Sequence, residues 1–173
     1  MQNKYSIQPS TKDDLLVIER FVDFAIRFQK EHGFPVWVNF DMRQIENEIK
    51  EGLHYKLVND EIILAFFSIC FHDSIIWGKR ETGHSIYLHR MVINNLYRGQ
   101  KSFKYVHSWL KKQASAKRLE SIRMDTWQEN DKLITYYRRY GYSIVGNVKT
   151  PFTEVLPEQH RGLDLVLLEY KIK

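Results

Sequence analysis

The stretch from Ser85 to Ile93, Ser-Ile-Tyr-Leu-His-Arg-Met-Val-Ile, carries apolar side chains at both odd and even positions. A strand built from it cannot give either face to water, so it belongs inside a sheet that is covered on both sides. The segments around it supply the covering layers. Leu15, Ile18, Val22, Ala25 and Phe28 recur at helical spacing to about Lys30, after a cap at Ser10 or Thr11 and before the stop at Gly33 and Pro35. Asp41 is placed to cap a second helix with Met42, Ile45 and Ile49 on one face and Gly52 beyond it. A third is predicted from about Gly99 to Ala116, with Phe103, Val106, Leu110 and Ala114 aligned. A fourth is predicted from an Asn130 cap to Tyr140, with Gly141 after its end.

Strands are predicted at Tyr5–Gln8, at Tyr55–Val58 and Ile62–Phe71 around an Asn59-Asp60 hairpin signal, at Ser121–Trp127, and at Ser143–Val148 and Leu163–Ile172. Residues 72–84 read as loop. Strands and helices mix without strict alternation, which argues for one sheet with helices on its faces. No linker or repeat divides the chain, so residues 1–173 read as one domain.

Several function classes fall away on composition. The net charge of +5 is mild, and no long basic run is present, so nucleic-acid binding has little electrostatic support. Lys111, Lys112, Lys117 and Arg118 gather near a helix C-terminus, where cations are favourable without any ligand. Cys70 is the single cysteine, which rules out an internal disulfide and fits a reduced cytoplasm. It sits in an apolar strand, where a thiol is usually a small buried hydrophobe. The longest apolar run, about Ile62 to Phe71, is too short to span a bilayer, and the polar start lacks a signal core. A soluble, unprocessed cytoplasmic chain without membrane contact is expected. The histidines show no metal-ligand spacing, so no metal is expected.

The segment Tyr97-Arg98-Gly99-Gln100-Lys101-Ser102-Phe103-Lys104 carries chemistry. It follows the interior strand and opens a helix, whose first N–H groups are unpaired and partly positive. Arg98, Lys101 and Lys104 crowd that end and oppose the dipole, a poor choice unless a polyanion sits there.

Together with Tyr87–Gln100, Met124–Asn130 and Tyr137-Arg138-Arg139-Tyr140-Gly141-Tyr142, this segment resembles two ordered blocks of the GNAT superfamily of acyl-CoA-dependent N-acyltransferases. The resemblance is dense over about residues 85 to 148. It implies an α/β fold with a single mixed, mostly antiparallel sheet flanked by helices on both faces. It implies acetyl-CoA as co-substrate, without a metal, and transfer of the acetyl group to a primary amine. The acceptor would be a small molecule or peptide, and two copies would pair through the C-terminal strands.

By the same resemblance, Met91, Val92 and Ile93 lie along the pantetheine arm. Arg98, Gly99, Gln100, Lys101, Ser102, Phe103 and Lys104 hold the pyrophosphate. Asn130 lies near the pantetheine and Tyr137 near the sulfur, as general acid. The family places small residues where Lys101 and Phe103 stand. Lys101 is expected in ordinary helical conformation, and Phe103 is expected in the core. His89 is the candidate base, read on the same strand face as Met91 and Ile93, with Arg90 opposite as an ion-pair partner. A structural histidine, Asp125, Glu129 or a water chain are the alternatives. Trp37, Trp77, Tyr87 and His160 are candidate walls of an acceptor pocket. Two other functions are consistent with the residues: a non-catalytic acyl-CoA sensor on the same fold, and a basic nucleic-acid-binding module.

Overall fold

A computed structural model describes residues 5–156 and 158–173. Along the described residues the order is β1 (Tyr5–Pro9), α1 (Leu15–Glu31), α2 (Met42–Lys50), β2 (His54–Asn59), β3 (Ile62–Cys70), α3 (Ser74–Trp77), β4 (Ser85–Ile93), α4 (Ser102–Ala116), β5 (Ser121–Trp127), α5 (Asp131–Arg138), β6 (Ser143–Lys149) and β7 (Asp164–Lys171). The strands form one sheet in the order β1-β2-β3-β4-β5-β7-β6. Only β4 and β5 run parallel; the remaining pairs are antiparallel. The predicted fold class is the observed one.

The helix starts follow local chemistry. Asp41 accepts from the Arg43 N–H at 3.0 Å, and Asn130 accepts from the Leu133 N–H at 3.2 Å. Before α1 a short 3-10 turn intervenes at Lys12–Asp14, where the Asp14 carboxylate accepts from the Thr11 N–H at 2.8 Å. On one face of the sheet, Ile86, Leu88, Phe67 and Ile69 pack with Phe103, Val106, Leu110 and Ala114 of α4. On the other, Phe66 and Val92 meet Ile18, Val22 and Ile45 of α1 and α2. The interior strand is thus buried from both sides, as its composition requires.

Three expectations are corrected. Residues 72–84 are not plain loop: Ser74–Trp77 is a helical turn capped by Asp73, whose Oδ1 accepts from Ile76 at 3.3 Å, because Ile76 and Trp77 have a core to fill. The helix predicted from Gly99 opens at Ser102 instead. The last helix ends at Arg138 rather than at Tyr140, with Gly141 at φ +90° beyond it.

β4 and β5 set the geometry of the molecule. They pair only over Ser85–Tyr87 and Ser121–Arg123. Beyond that point β4 follows β3, β5 follows β7, and the two diverge. Arg123 stands at the fork. Its Nε donates to Glu169 at 2.7 Å, and its Nη1 donates to the Arg80 carbonyl at 2.7 Å and to the Tyr87 hydroxyl at 3.0 Å. Its guanidinium also lies 4.6 Å from the Trp77 ring centre. Trp77 and Tyr87, expected as pocket walls, are 1% and 0% exposed and belong to this packed fork.

Candidate active site

The fork opens into a cleft of about 530 Å3, within the usual range of roughly 300–1,000 Å3 for small-molecule sites. Leu88 to Ile93 form one wall and Met124 to Trp127 the other. Phe28, Gln29, Phe34 and Trp37 come over it from α1 and the segment that follows, and Tyr136 and Tyr137 rise from α5. On the sides where β4 and β5 part, their backbone groups have no partner in the opposite strand and are open to water or to a ligand in the cleft.

Of the residues selected from sequence, Met91, Val92, Ile93, Arg98, Gly99, Asn130, Tyr137, His89 and the wall candidates Trp37 and His160 line this cleft. Gln100, Lys101 and Lys104 are exposed beside its mouth, while Ser102 is buried. Phe103 is in the core as expected, 2% exposed and 4.8 Å from the rings of both Tyr137 and Tyr140. Lys101 is not helical. It takes the left-handed region at φ +55° and ψ +33°, next to Gly99 at φ +85°. A side chain there costs roughly 1–2 kcal/mol, which is why a glycine suits the position. The turn it makes leaves the N–H groups of Ser102 and Phe103 without intrahelical partners at the start of α4. Arg98 extends to α1, its guanidinium 3.5 Å from the Phe28 ring centre and thus stacked on it.

The face assignment on β4 is also corrected. Between Phe66 and Ser68 the register with β4 slips from Val92 to His89, so Arg90 and Met91 oppose one residue of β3. Arg90 sits at φ +49°, the mark of a bulge. The extra residue turns His89 and Arg90 to one face and Met91 to the other, where it packs against the α4 core. A strict two-residue alternation predicts the reverse. The expected role of Arg90 as an ion-pair partner stands: its Nη2 donates to Glu48 of α2.

His89 lies between two carboxylates. Its Nε2 is 3.4 Å from Asp73 Oδ2 and its Nδ1 is 3.9 Å from Asp125 Oδ1. Burial alone would lower its pKa, but Asp73, Cys70 and Asp125 outweigh burial and raise it to about 10. Asp125 is raised from the ordinary carboxylate range by burial and by the like charge of Asp73, against the pull of His89 and Arg90. One ligand-type atom each from Asp73, His89 and Asp125 falls within 4.8 Å of the others, a grouping that chain spacing did not reveal. The carboxylates meet different nitrogens of a single ring, so these atoms read as an ion-paired cluster.

Tyr137 is raised above the ordinary phenol range, first by burial and then by Asp125, and so keeps its proton at neutral pH. Asn130 spends its Oδ1 on the cap of α5. Asp73 falls in the stretch 72–84 that reads as loop in the sequence, and its Asp-Ser-Ile-Ile-Trp context marks a cap, not a site. Gln29, whose Oε1 accepts from the Trp37 N–H at 3.0 Å, gave no signal at all.

Titration of these groups predicts a bell-shaped stability profile. His54, His107 and His160 are each lowered from 6.5 to about 4, first by burial and then by nearby cations. Their folded values are depressed, so the unfolded chain takes up their protons first and stability falls as pH drops from about 6.5 toward about 4. His89 acts on the other side. Its folded value is raised, so its contribution is complete below 6.5 and is lost as pH rises through about 10. Urea midpoints measured across this range should peak near neutrality and decline both ways.

No family model matches the chain. It is 28% identical over 146 residues to the uncharacterized N-acetyltransferase YesJ of Bacillus subtilis (strain 168), covering 80% of this chain and 81% of that protein. Its fold is that of an acetyltransferase of the GNAT family from Listeria monocytogenes 4b F2365, with a TM-score of 0.76, 20% identity, and coverage of 96% of this chain and 94% of that one. YncA from Salmonella typhimurium, solved with its cofactor acetyl-CoA, superposes with a TM-score of 0.65 at 15% identity over 99% of this chain and 95% of that one. No helix among the described residues is long and apolar enough to cross a membrane.

Proposed function

We propose that the chain is a GNAT-type transferase that moves an acetyl group from acetyl-CoA to a primary amine by direct attack while both substrates are bound. The observation that carries this reading is the parting of β4 and β5 after Tyr87 and Arg123, which leaves strand backbone facing a cleft that ends at the cation-bearing start of α4. Acetyl-CoA, when bound, supplies a thioester whose acyl group can pass to a nitrogen.

Met91, Val92 and Ile93 hold the pantetheine arm through their backbone groups. The turn from Arg98 through Gly99, Gln100 and Lys101 to Ser102, Phe103 and Lys104 receives the pyrophosphate, with backbone N–H groups aided by the charges of Arg98, Lys101 and Lys104. Arg98 leaves the Phe28 ring to do so. Asn130 is held beside the arm by its cap hydrogen bond. Backbone donors of β4 stabilise the charge that grows on the thioester oxygen. Tyr137, protonated at neutral pH, hydrogen-bonds the departing sulfur and gives it a proton.

The acceptor is a small-molecule or peptide amine that enters beneath Phe34 and Trp37. We place the activity in the cytoplasm, and a second copy on the C-terminal strands. Thiol release from acetyl-CoA in the presence of small primary amines, amino acids and short peptides tests the reaction. Amine-dependent release is the expected result. Uniform silence across the panel while acetyl-CoA binds would favour an acyl-CoA sensor.

A further inference from the structure

Resting on the transferase reading above, we propose that Asp125 is the group that takes the acceptor's proton, and that His89 is a fixed imidazolium, held by Asp73, which positions that carboxylate. The geometry carries the assignment. A general base must present a lone pair to the nitrogen it deprotonates. Both ring nitrogens of His89 are turned toward carboxylates, Nε2 to Asp73 Oδ2 at 3.4 Å and Nδ1 to Asp125 Oδ1 at 3.9 Å. An imidazole between two carboxylates carries a proton on each nitrogen and has none free to act as base. Asp125, in contrast, lines the cleft; its Oδ1 faces His89 Nδ1 across 3.9 Å, a charge contact longer than a hydrogen bond, so among the described residues no hydrogen bond occupies that oxygen. It also lies on β5 close enough to Tyr137 for its charge to act on that phenol, which brings a proton acceptor and a proton donor to one cleft.

His160 is the competitor. It too lines the cleft with a buried Nε2 that no hydrogen-bond partner reaches among the described residues. Charge decides between them. The groups acting on this space are His89 from β4 and Arg90 from β4 with its partner Glu48 from α2, Cys70 from β3, Asp73 from the turn before α3, and Asp125 from β5. A proton on His160 would add a third cation beside Arg90 and His89. A proton on Asp125 removes a buried anion that lies near a second one, Asp73. Burial penalises the first and rewards the second.

The acceptor ammonium gives one proton to the Asp125 carboxylate. The freed lone pair forms the C–N bond at the thioester carbonyl carbon, and the C–S bond breaks with its electron pair on sulfur. Sulfur takes the Tyr137 proton, and the second proton lost by nitrogen restores Tyr137. Asp125 then releases its proton to solvent.

Imidazole 1H–15N spectra of the unaltered chain test the charge on His89 without any acceptor. Both ring nitrogens should stay protonated at pH 8, and Asp73→Asn should move the His89 titration down by about 1 to 3 pH units. A neutral ring with a single protonated nitrogen at pH 7 would overturn the proposal. Kinetics test the acceptor of the proton. With the best amine from the panel, Asp125→Asn should lower turnover by about 10²-fold or more and leave the acetyl-CoA melting shift in place, with His160→Gln much milder. An unimpaired Asp125→Asn enzyme, or the full loss appearing in His160→Gln instead, would also overturn it. Failure of acetyl-CoA to stabilise even the unaltered chain would remove the transferase reading itself, and the His89 spectrum would still decide the charge of the cluster.

Discussion

Replacing Tyr137 with Phe lowers amine-dependent turnover by about 10²- to 10⁴-fold, the usual worth of a positioned acid, while acetyl-CoA binding and folding persist. The selectivity follows from where the residue packs. Its ring lies 4.8 Å from Phe103 and 6.2 Å from Tyr142, against the core that α4 and α5 share, and phenylalanine keeps those contacts. Only the hydroxyl is lost. Burial and the charge of Asp125 both hold that hydroxyl in its protonated form, so its proton is available at neutral pH. Steady-state kinetics at saturating acetyl-CoA, with circular dichroism as the control, make the measurement. A variant with the parent's rate would remove Tyr137 from the reaction.

The second large effect is on stability. Glu169→Ala should destabilise the fold by about 3–5 kcal/mol, the cost of leaving one member of a buried ion pair alone. Glu169 accepts from Arg123 Nε at 2.7 Å and from Ser121 Oγ at 3.2 Å, and Lys171 Nζ lies 3.0 Å away at its outer side. Without Glu169 the Arg123 guanidinium is left charged against Trp77 and Tyr87, at the point where β4 and β5 part. Burial favours a protonated Glu169, but Arg123 and Lys171 prevail and hold its pKa below the ordinary range. The folded value is depressed, so this stabilisation is present above the ordinary carboxylate pKa and is lost as pH falls through the lowered one. The melting temperature of Glu169→Ala should therefore approach that of the parent in strong acid. Glu169→Gln, which keeps an acceptor for Arg123, should lose less. At neutral pH the Ala variant should also bind acetyl-CoA more weakly, since the fork fixes the width of the cleft.

Much of this fold was legible because the pattern of burial repeats the pattern of residues. A Ser85–Ile93 stretch with apolar residues on both faces, helical stripes on either side of it and the caps at Asp41 and Asn130 leave few other arrangements. The loop stood out in the sequence as a candidate anion cradle because Arg98, Lys101 and Lys104 contradict the dipole of the helix they begin. Other features depended on a single residue out of step. The bulge at Arg90 puts His89 and Met91 on opposite faces where strict alternation would put them on one, and no hydrophobic periodicity announces an inserted residue. Lys101 takes a conformation that L side chains seldom adopt, so its residue type argued for a helix start while the chain made a turn. The cluster of Asp73, His89 and Asp125 joins residues from three separate elements, and only the folded sheet brings them together. Trp77 and Tyr87 were selected as large aromatic side chains near the expected pocket, yet the same size makes them the natural filling for the fork.

On the proposed function, the space between β4 and β5 takes acetyl-CoA. Thermal unfolding of the unaltered protein with acetyl-CoA, CoA and ATP tests it most directly. A ligand at a hundred times its dissociation constant adds about 2.7 kcal/mol to the folded state. Both CoA species should raise the melting temperature and ATP should not, because the cleft matches the pantetheine arm as well as the phosphates. An unchanged melting temperature at millimolar acetyl-CoA would contradict that assignment.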